Sequence, residues 1–264
     1  MSLLISKVFT YDVDAGNYIQ AVEAADAQAL EPATRQAINN FVIGCKQDGI
    51  WTAIKASCIL AGARTLAGAL VPLVGTAPTN VNFISGDYNR KTGLGDASNT
   101  TKYLSTNRAG NVDPQNSFHL SCYLTTQPNN TATVNYAYLA GSINLTGSNI
   151  IGRSGSSARQ IFTQNRGGSF AISDGTAQAG FVGCSRGSST AFNYRLAGVN
   201  GIVSSISQSS SSSTIEAFRW VNGGTPGAYA ANRIAFYSIG EALDLTLLDA
   251  RVTALINAFA AAIP

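Results

Sequence analysis

The chain has 264 residues, 45% of them hydrophobic and only 12% charged, with a formal net charge of +3. The length suits one large domain, or a domain with a small appendage. The charged share is about half the usual one, and so weak a positive balance argues against nucleic acid, which wants a concentrated basic face. Surface polarity must come instead from Ser, Thr, Asn, Gln and Gly. The cysteines are Cys45, Cys58, Cys122 and Cys184, none in a C-x-x-C spacing, and His119 is the single histidine. A zinc site built from closely spaced ligand pairs is therefore excluded. The opening MSLLISKVFTYDVDAG has too short an apolar run for a signal peptide, so free, mostly buried thiols are expected. No apolar stretch is read as reaching the ~18 residues of a membrane span.

Residues 14 to 56 read as helical. Tyr18, Ile19, Val22 and Ala25 recur at helical spacing behind Asp14, a candidate cap. Pro32 opens a second helix with an apolar stripe of Ile38, Phe41 and Val42, and Gly44 is its natural stop. A third short helix is expected in DGIWTAIKA, with Ile50, Trp51 and Ile54 on one face. Helices this short are not stable alone and must pack on the following domain or on a partner.

From Ser57 the texture changes. SCILAG suits a buried strand over Cys58, Ile59 and Leu60. Further strands are expected in SFHLSCYLTT, TVNYAYLAG, ARQIFTQN, GFVGCSRG, AFNYRLAG, GIVSSISQ and TIEAFRWVN. Turn residues separate them, a spacing that argues for an antiparallel sandwich or barrel and against βαβ units. SQSSSSST, residues 207–214, reads as a hairpin loop, because strands flank it closely and too little follows for a second core.

The last strand, NRIAFYSIG, is expected to be covered on both faces, with Ile234 and Phe236 on one and Ala235, Tyr237 and Ile239 on the other. Leu245, Leu248, Val252, Leu255, Ile256, Phe259 and Ile263 then repeat at steps of three and four. They predict a C-terminal amphipathic helix over 244–262, capped by Thr246 with Asp249, lying across the sheet or against the N-terminal helices. The expected division is an N-terminal helical attachment segment, 1–56, and a β-sandwich, 57–264, closed by that helix.

Four stretches carry a resemblance: DGIWTAIKASCILAGA, ALVPLVGTAPTN, GDYNRKTGLGDASNTTKYLSTN and RIAFYSIGEALDLTLLDARVTALINAF. Together they resemble a bacteriophage virion structural protein family, of tail, fibre or head-decoration type, with a concanavalin A-like lectin/glucanase jelly roll. The resemblance spans most of the chain and is strongest over 48–108 and 230–260. It implies a mainly β fold of two packed antiparallel sheets, a terminal helix against them, and a place on the surface of a phage particle. The wider fold includes carbohydrate binders and glycan-cleaving enzymes, and fold alone does not choose between them.

Glycan hydrolysis needs two carboxylates about 5 to 10 Å apart. Between residues 81 and 240 the acids are Asp87, Asp96, Asp113, Asp174 and Glu216, widely spaced along the chain. GCSRG around Ser185 matches G-x-S-x-G, but a nucleophile elbow needs a following helix and a later histidine, and His119 comes earlier. There is no P-loop and no dinucleotide fingerprint, and the carboxylates are too sparse for a defined calcium ligand set. No catalytic, cofactor-binding or metal residue is assigned, no cofactor is expected, and the chain is not expected to be an enzyme.

Arg153, Arg159, Arg166, Arg186 and Arg195 fall in a stretch whose only acid is Asp174, with Phe162, Phe192 and Tyr194 among them. The five arginines and Tyr194 form a candidate surface for acidic sugars or phosphates. The bland alternative is that the arginines stand outward and keep a charge-poor surface soluble. The resulting expectation is a non-catalytic virion surface protein, in a tail fibre, baseplate or head decoration. The apolar helical faces before residue 56 would attach it to other virion proteins or sister subunits, in a symmetric homo-oligomer. Host-surface polysaccharide is its candidate ligand, with no nucleic acid partner and no membrane span. A dedicated glycan-binding adhesin is the alternative, and a polysaccharide-degrading enzyme the third.

Overall fold

The computed structural model describes residues 10–98, 100–126, 136–143, 147–153, 161–169, 171–172, 179–196, 198–222 and 225–264. Two helices lead, α1 (Val13–Asp26) and α2 (Pro32–Gln47), and a 3-10 turn at Trp51–Ala53 delivers the chain into β1 (Ile54–Ile59). After the single helical turn α3 (Leu66–Ala69) come the short strands β2 (Pro72–Val74), β3 (Thr79–Val81), β4 (Tyr88–Asn89) and β5 (Gly93–Gly95). β6 (Tyr103–Ala109), β7 (Phe118–Thr126), β8 (Tyr136–Ala140), β9 (Ser142–Ile143), β10 (Asn149–Arg153), β11 (Ile161–Asn165) and β12 (Ala171–Ile172) follow. The last part holds β13 (Gly180–Arg186), β14 (Ala191–Leu196), β15 (Val199–Ser204), β16 (Thr214–Ala217), β17 (Arg219–Asn222), β18 (Thr225–Tyr229), β19 (Arg233–Gly240) and α4 (Leu245–Ala262).

These strands make the antiparallel β-sandwich expected from the sequence. One sheet runs β15-β14-β13-β7-β19-β1-β2, with β4 and β5 joined to the β19 side, and the facing sheet runs β12-β11-β10-β8-β16-β6-β3. A small third sheet, β18-β17-β9, carries a parallel pairing between β17 and β9. Inward residues of the two main sheets, among them Leu120, Cys122, Leu139, Ile151, Val182 and Ile239, form one core. The four thiols are free and buried; burial pushes Cys45 up to about 12 and Cys184 to about 11.

A second core lies on the other face of the first sheet. There Ile38, Phe41 and Val42 of α2 meet Leu248, Val252, Leu255 and Phe259 of α4 over Ile59 and Phe236. Each fully buried aliphatic side chain contributes on the order of 2 kcal/mol. The apolar faces expected to grip a partner are thus buried within the chain itself. The division expected after residue 56 falls inside β1, which begins at Ile54, so the third helix is only the turn at Trp51–Ala53. Gly44 is also no stop. α2 runs on to Gln47, and the missing side chain at Gly44 admits the Arg251 guanidinium of α4, which forks onto Asp48 at 2.7 and 2.8 Å.

Three further details depart from the sequence pattern. The caps sit earlier than expected: Asp12 accepts from the Asp14 N–H, and Asp244 accepts from Thr246 and Leu247. The Ser-rich segment is no hairpin loop, since β15 and β16 belong to different sheets. It crosses the sandwich end as a strap: the Gln208 N–H donates to Arg166 O at 2.8 Å and Ser207 Oγ to Asn116 Oδ1 at 2.6 Å. Finally, α4 is long and apolar enough by length and composition to cross a membrane, against the expectation that no stretch reaches that length. In this fold its apolar stripe lies on the sheet and α2.

Candidate functional site

The alternation of β13 places Arg186 on the inner face with Val182 and Cys184. It is fully buried. Its guanidinium donates to the carbonyls of Asn165 (3.0 and 2.7 Å), Ser205 (3.0 Å), Ser188 (3.2 Å) and Ala191 (3.2 Å). Arg166, just past β11 with φ of 47°, turns back into the same end of the core. It donates to the carbonyls of Gly110 (2.6 Å), Asp113 (3.0 Å) and Pro114 and lies 4.2 Å from the Phe118 ring centroid. Desolvation lowers its pKa to about 10. Neither arginine stands on the surface as the sequence reading had it. Both tie loops to the sandwich by satisfying buried carbonyls. Arg153 closes β10, and its side chain, like the whole of Arg159, lies outside the described residues.

Tyr194 does border a cleft, and Arg195 braces its wall through Asn200. The cleft measures about 440 Å³ and lies where the β14–β15 hairpin meets the start of α4, lined by Asn193, Tyr194, Asn200, Gly201, Asp244 and Thr246 among others. Register pairs Asn193 with Ile202, Tyr194 with Gly201 and Arg195 with Asn200. Asn193, Arg195, Asn200 and Ile202 therefore share the helix-bearing face. Arg195 pairs with Asp249 of α4 and donates to Asn200 Oδ1 at 2.9 Å. Asn200 Nδ2 in turn donates to Thr246 Oγ1 at 3.1 Å. This chain of bonds fixes the cleft wall. The exposed amide of Asn193 makes no hydrogen bond among the described residues, and Ile202 beside it is 69% exposed. The cleft thus offers one amide donor and acceptor, a carboxylate and a hydroxyl on a rigid frame.

The acids sought for chemistry that fall among the described residues are each matched by a cation. Asp87 and Asp96, nine positions apart, meet at Lys102, whose Nζ lies 2.7 Å from an oxygen of each. That lysine is the first cause of the depressed Asp96 pKa. Asp113 pairs with Arg108, and Glu216 forks onto Arg219 at 2.6 and 2.7 Å. Asp174 lies outside the described residues. His119 is fully buried. A carbonyl can only accept, so Nδ1–H donates to Glu241 O at 2.6 Å and Nε2 accepts from Ser238 Oγ at 2.7 Å. Burial pushes its pKa down to about 4. Ser185 faces His119 in the ladder, yet its hydroxyl donates to Leu243 O at 2.8 Å.

Of the sequence candidates Tyr194 lines this cleft; Asn193, Asn200, Asp244 and Thr246 were not among them. A signal existed in the two asparagines flanking a short hairpin turn. Their convergence with residues 243–246 is a tertiary fact. No model of a known protein family matches the chain, and none of the curated proteins does. Solved structures share its fold. The binding domain of botulinum neurotoxin serotype D is 12% identical with a TM-score of 0.51, over 76% of this chain and 51% of that one. The serotype G binding domain is 11% identical with a TM-score of 0.48, over 77% of this chain and 51% of that one. Domain 4 of the extracellular arabinanase AbnA from Geobacillus stearothermophilus, solved with arabinotriose, is 12% identical with a TM-score of 0.40, over 67% of this chain and 82% of that one. This chain spans about half the length of the two neurotoxin domains.

Proposed function

We propose that the protein is a non-catalytic surface module of a phage particle that engages a host-surface glycan through the cleft between β14–β15 and α4. The observation that carries the binding part is the cleft itself. Its volume falls within the usual range for small-ligand sites. Asn200 and Thr246 are held in place by the Arg195–Asn200–Thr246 bonds and Asp244 by its cap bonds, so these groups add little ordering cost to binding. A planar amide with a free donor and acceptor beside a carboxylate and a hydroxyl matches neighbouring sugar hydroxyls.

The particle assignment is supported by the sequence resemblance. In this reading the chain sits on the virion surface after synthesis in the host cytoplasm and assembles with other virion proteins as a symmetric homo-oligomer. With the apolar sides of α1 and α2 buried, attachment draws on their outer polar faces. Nucleic acid is not a partner, and α4 is a packed helix. Its buried Leu248, Val252 and Phe259 and its Arg251–Asp48 and Asp249–Arg195 pairs support that.

The enzyme reading has one observation in its favour, the meeting of Asp87 and Asp96. A glycosidase acid must hold a proton near neutral pH, and Lys102 instead holds the Asp96 carboxyl below its ordinary value. A glycan array tests the proposal, with Asn193→Ala alongside. Wild-type protein should bind a bacterial surface polysaccharide, the variant should lose at least tenfold, and no reducing ends should be released. Silence on the array sinks the glycan part; failure of labelled antibody to decorate intact particles sinks the virion part.

A further inference from the structure

A second cleft, of about 320 Å³, is lined by Asp14, Asn17, Tyr18, Trp51, Pro72 and Val74 among others. It lies where α1 meets β2, the strand at the opposite edge of the same sheet from β15. It is built from the same kinds of residue as the first cleft: an aromatic residue, an exposed aspartate and an exposed asparagine. Trp51 is half-buried, with the Lys46 ammonium 5.7 Å from its ring centroid. That ammonium is held by Asp12 and Asp14 at 2.7 and 2.6 Å. An indole beside a carboxylate and an amide suits a sugar ring, whose C–H face packs on the aromatic surface while its hydroxyls meet the polar groups.

The strand register puts both clefts at one end of the sheet. Asn193 stands opposite Ser185, Ser185 opposite His119, His119 opposite Gly240, and Gly240 opposite Ile54, three residues after Trp51. Four strand spacings of about 4.8 Å separate Asn193 from Ile54, about 19 Å in all. The connection from β19 to α4 spans this gap. Its Glu241 N–H donates to Ala53 O at 2.9 Å, two residues past Trp51, and its Leu243 and Asp244 line the first cleft.

We infer that the two clefts are subsites of one binding edge that reads a polymeric glycan crossing the strand ends, not a terminal sugar. This rests on the glycan-binding reading of the first cleft and adds the length of the ligand to it. Two weak sites on one rigid body, filled by one chain, raise the overall affinity by about 10²–10⁴ over either alone.

The probe is the purified bacterial capsular or O-antigen polysaccharide that binds most strongly on the array, used intact and as its single repeat unit. Calorimetric titration with the repeat unit should give two sites per chain in the wild type and one in Trp51→Ala. The intact polymer should bind Trp51→Ala at least tenfold more weakly. Asn17→Ala, at an exposed position, should weaken polymer binding in the same direction with an unchanged melting temperature, which covers a folding failure of the tryptophan variant. One site per chain in the wild type overturns the inference. So does a polymer affinity untouched by Asn17→Ala and Trp51→Ala but lost in Asn193→Ala, while leaving the first cleft standing. No binding of any probe by the wild type overturns both readings together.

Discussion

Phe41 of α2 and Phe236 of β19 meet edge to face, their ring centroids 5.6 Å apart. A β-bulge between Ile234 and Phe236 makes this possible. It turns Ala235 and Phe236 together toward the helices and sends Tyr237 and Ile239 to the inter-sheet core. The N-terminal helices are therefore part of the domain's own packing. Phe41→Ala should cost about 3–5 kcal/mol, and Leu255→Asp, which buries a carboxylate in the same core, should cost more. Urea unfolding followed by both tryptophan fluorescence and far-ultraviolet circular dichroism should show one coincident transition. An early, separate loss of helix would mean that the helices are a detachable unit.

His119 makes the fold sensitive to mild acid. Its folded pKa of about 4 lies below the ordinary 6.5, so the unfolded chain takes up the proton first. Stability is complete above pH 6.5 and falls as the pH drops toward 4, by on the order of 3 kcal/mol. Unfolding free energies measured between pH 7.5 and 4 should show this slope in the wild type. In His119→Gln, which loses the bonds to Glu241 and Ser238, stability at pH 7.5 should be lower and the slope absent. A slope that survives the substitution would assign it to another group.

Glu31 governs a lower window. It stands at the start of α2 and accepts both arms of Arg90, at 3.0 and 2.7 Å, with Arg64 at 3.2 Å. The Arg90 bonds are the chief cause of its pKa of about 2, against an ordinary 4.5. Here the folded carboxylate holds its charge longer than the unfolded one. The contribution is whole above pH 4.5 and is lost as the pH falls through 2. After discounting for its partial exposure it amounts to about 2 kcal/mol. Glu31→Gln should flatten the stability curve between pH 4.5 and 2 and leave the His119 window unchanged, since the two groups belong to separate packing regions. Equal slopes in wild type and variant would refute the assignment.

Much of this fold was legible because periodicity reports burial. All seven residues of the α4 stripe are buried, and β7, β13 and β14 fall inside the stretches expected for them. What was not legible depends on single backbone angles or distant partners. TIEAFRWVN reads as one strand, but Phe218 adopts φ of 69°, splitting it into β16 and β17 in different sheets. The bulge in β19 reverses the facing that strict alternation assigns to Phe236. Of the candidate surface, Tyr194 lines a cleft and Arg195 braces its wall through Asn200. Arg166 and Arg186 do neither, and this was not legible because no sequence pattern shows that carbonyls from separate loops will converge on a guanidinium.

That convergence makes Arg186 a structural residue, and its substitution separates the two roles. Its five carbonyl contacts reach Asn165, Ser188, Ala191 and Ser205, joining β11, the turn before β14 and the end of β15. Arg186→Ala would leave these buried acceptors without donors, at about 1–3 kcal/mol for each one left dry. Arg186→Lys keeps the charge but not the planar fork, so it should recover only part of the loss. Thermal melts should therefore order the three proteins wild type, lysine, alanine, with the alanine variant lowered by more than 10 °C or insoluble. If arginine at this position served a ligand instead, both variants would melt like the wild type and differ from it in glycan binding alone.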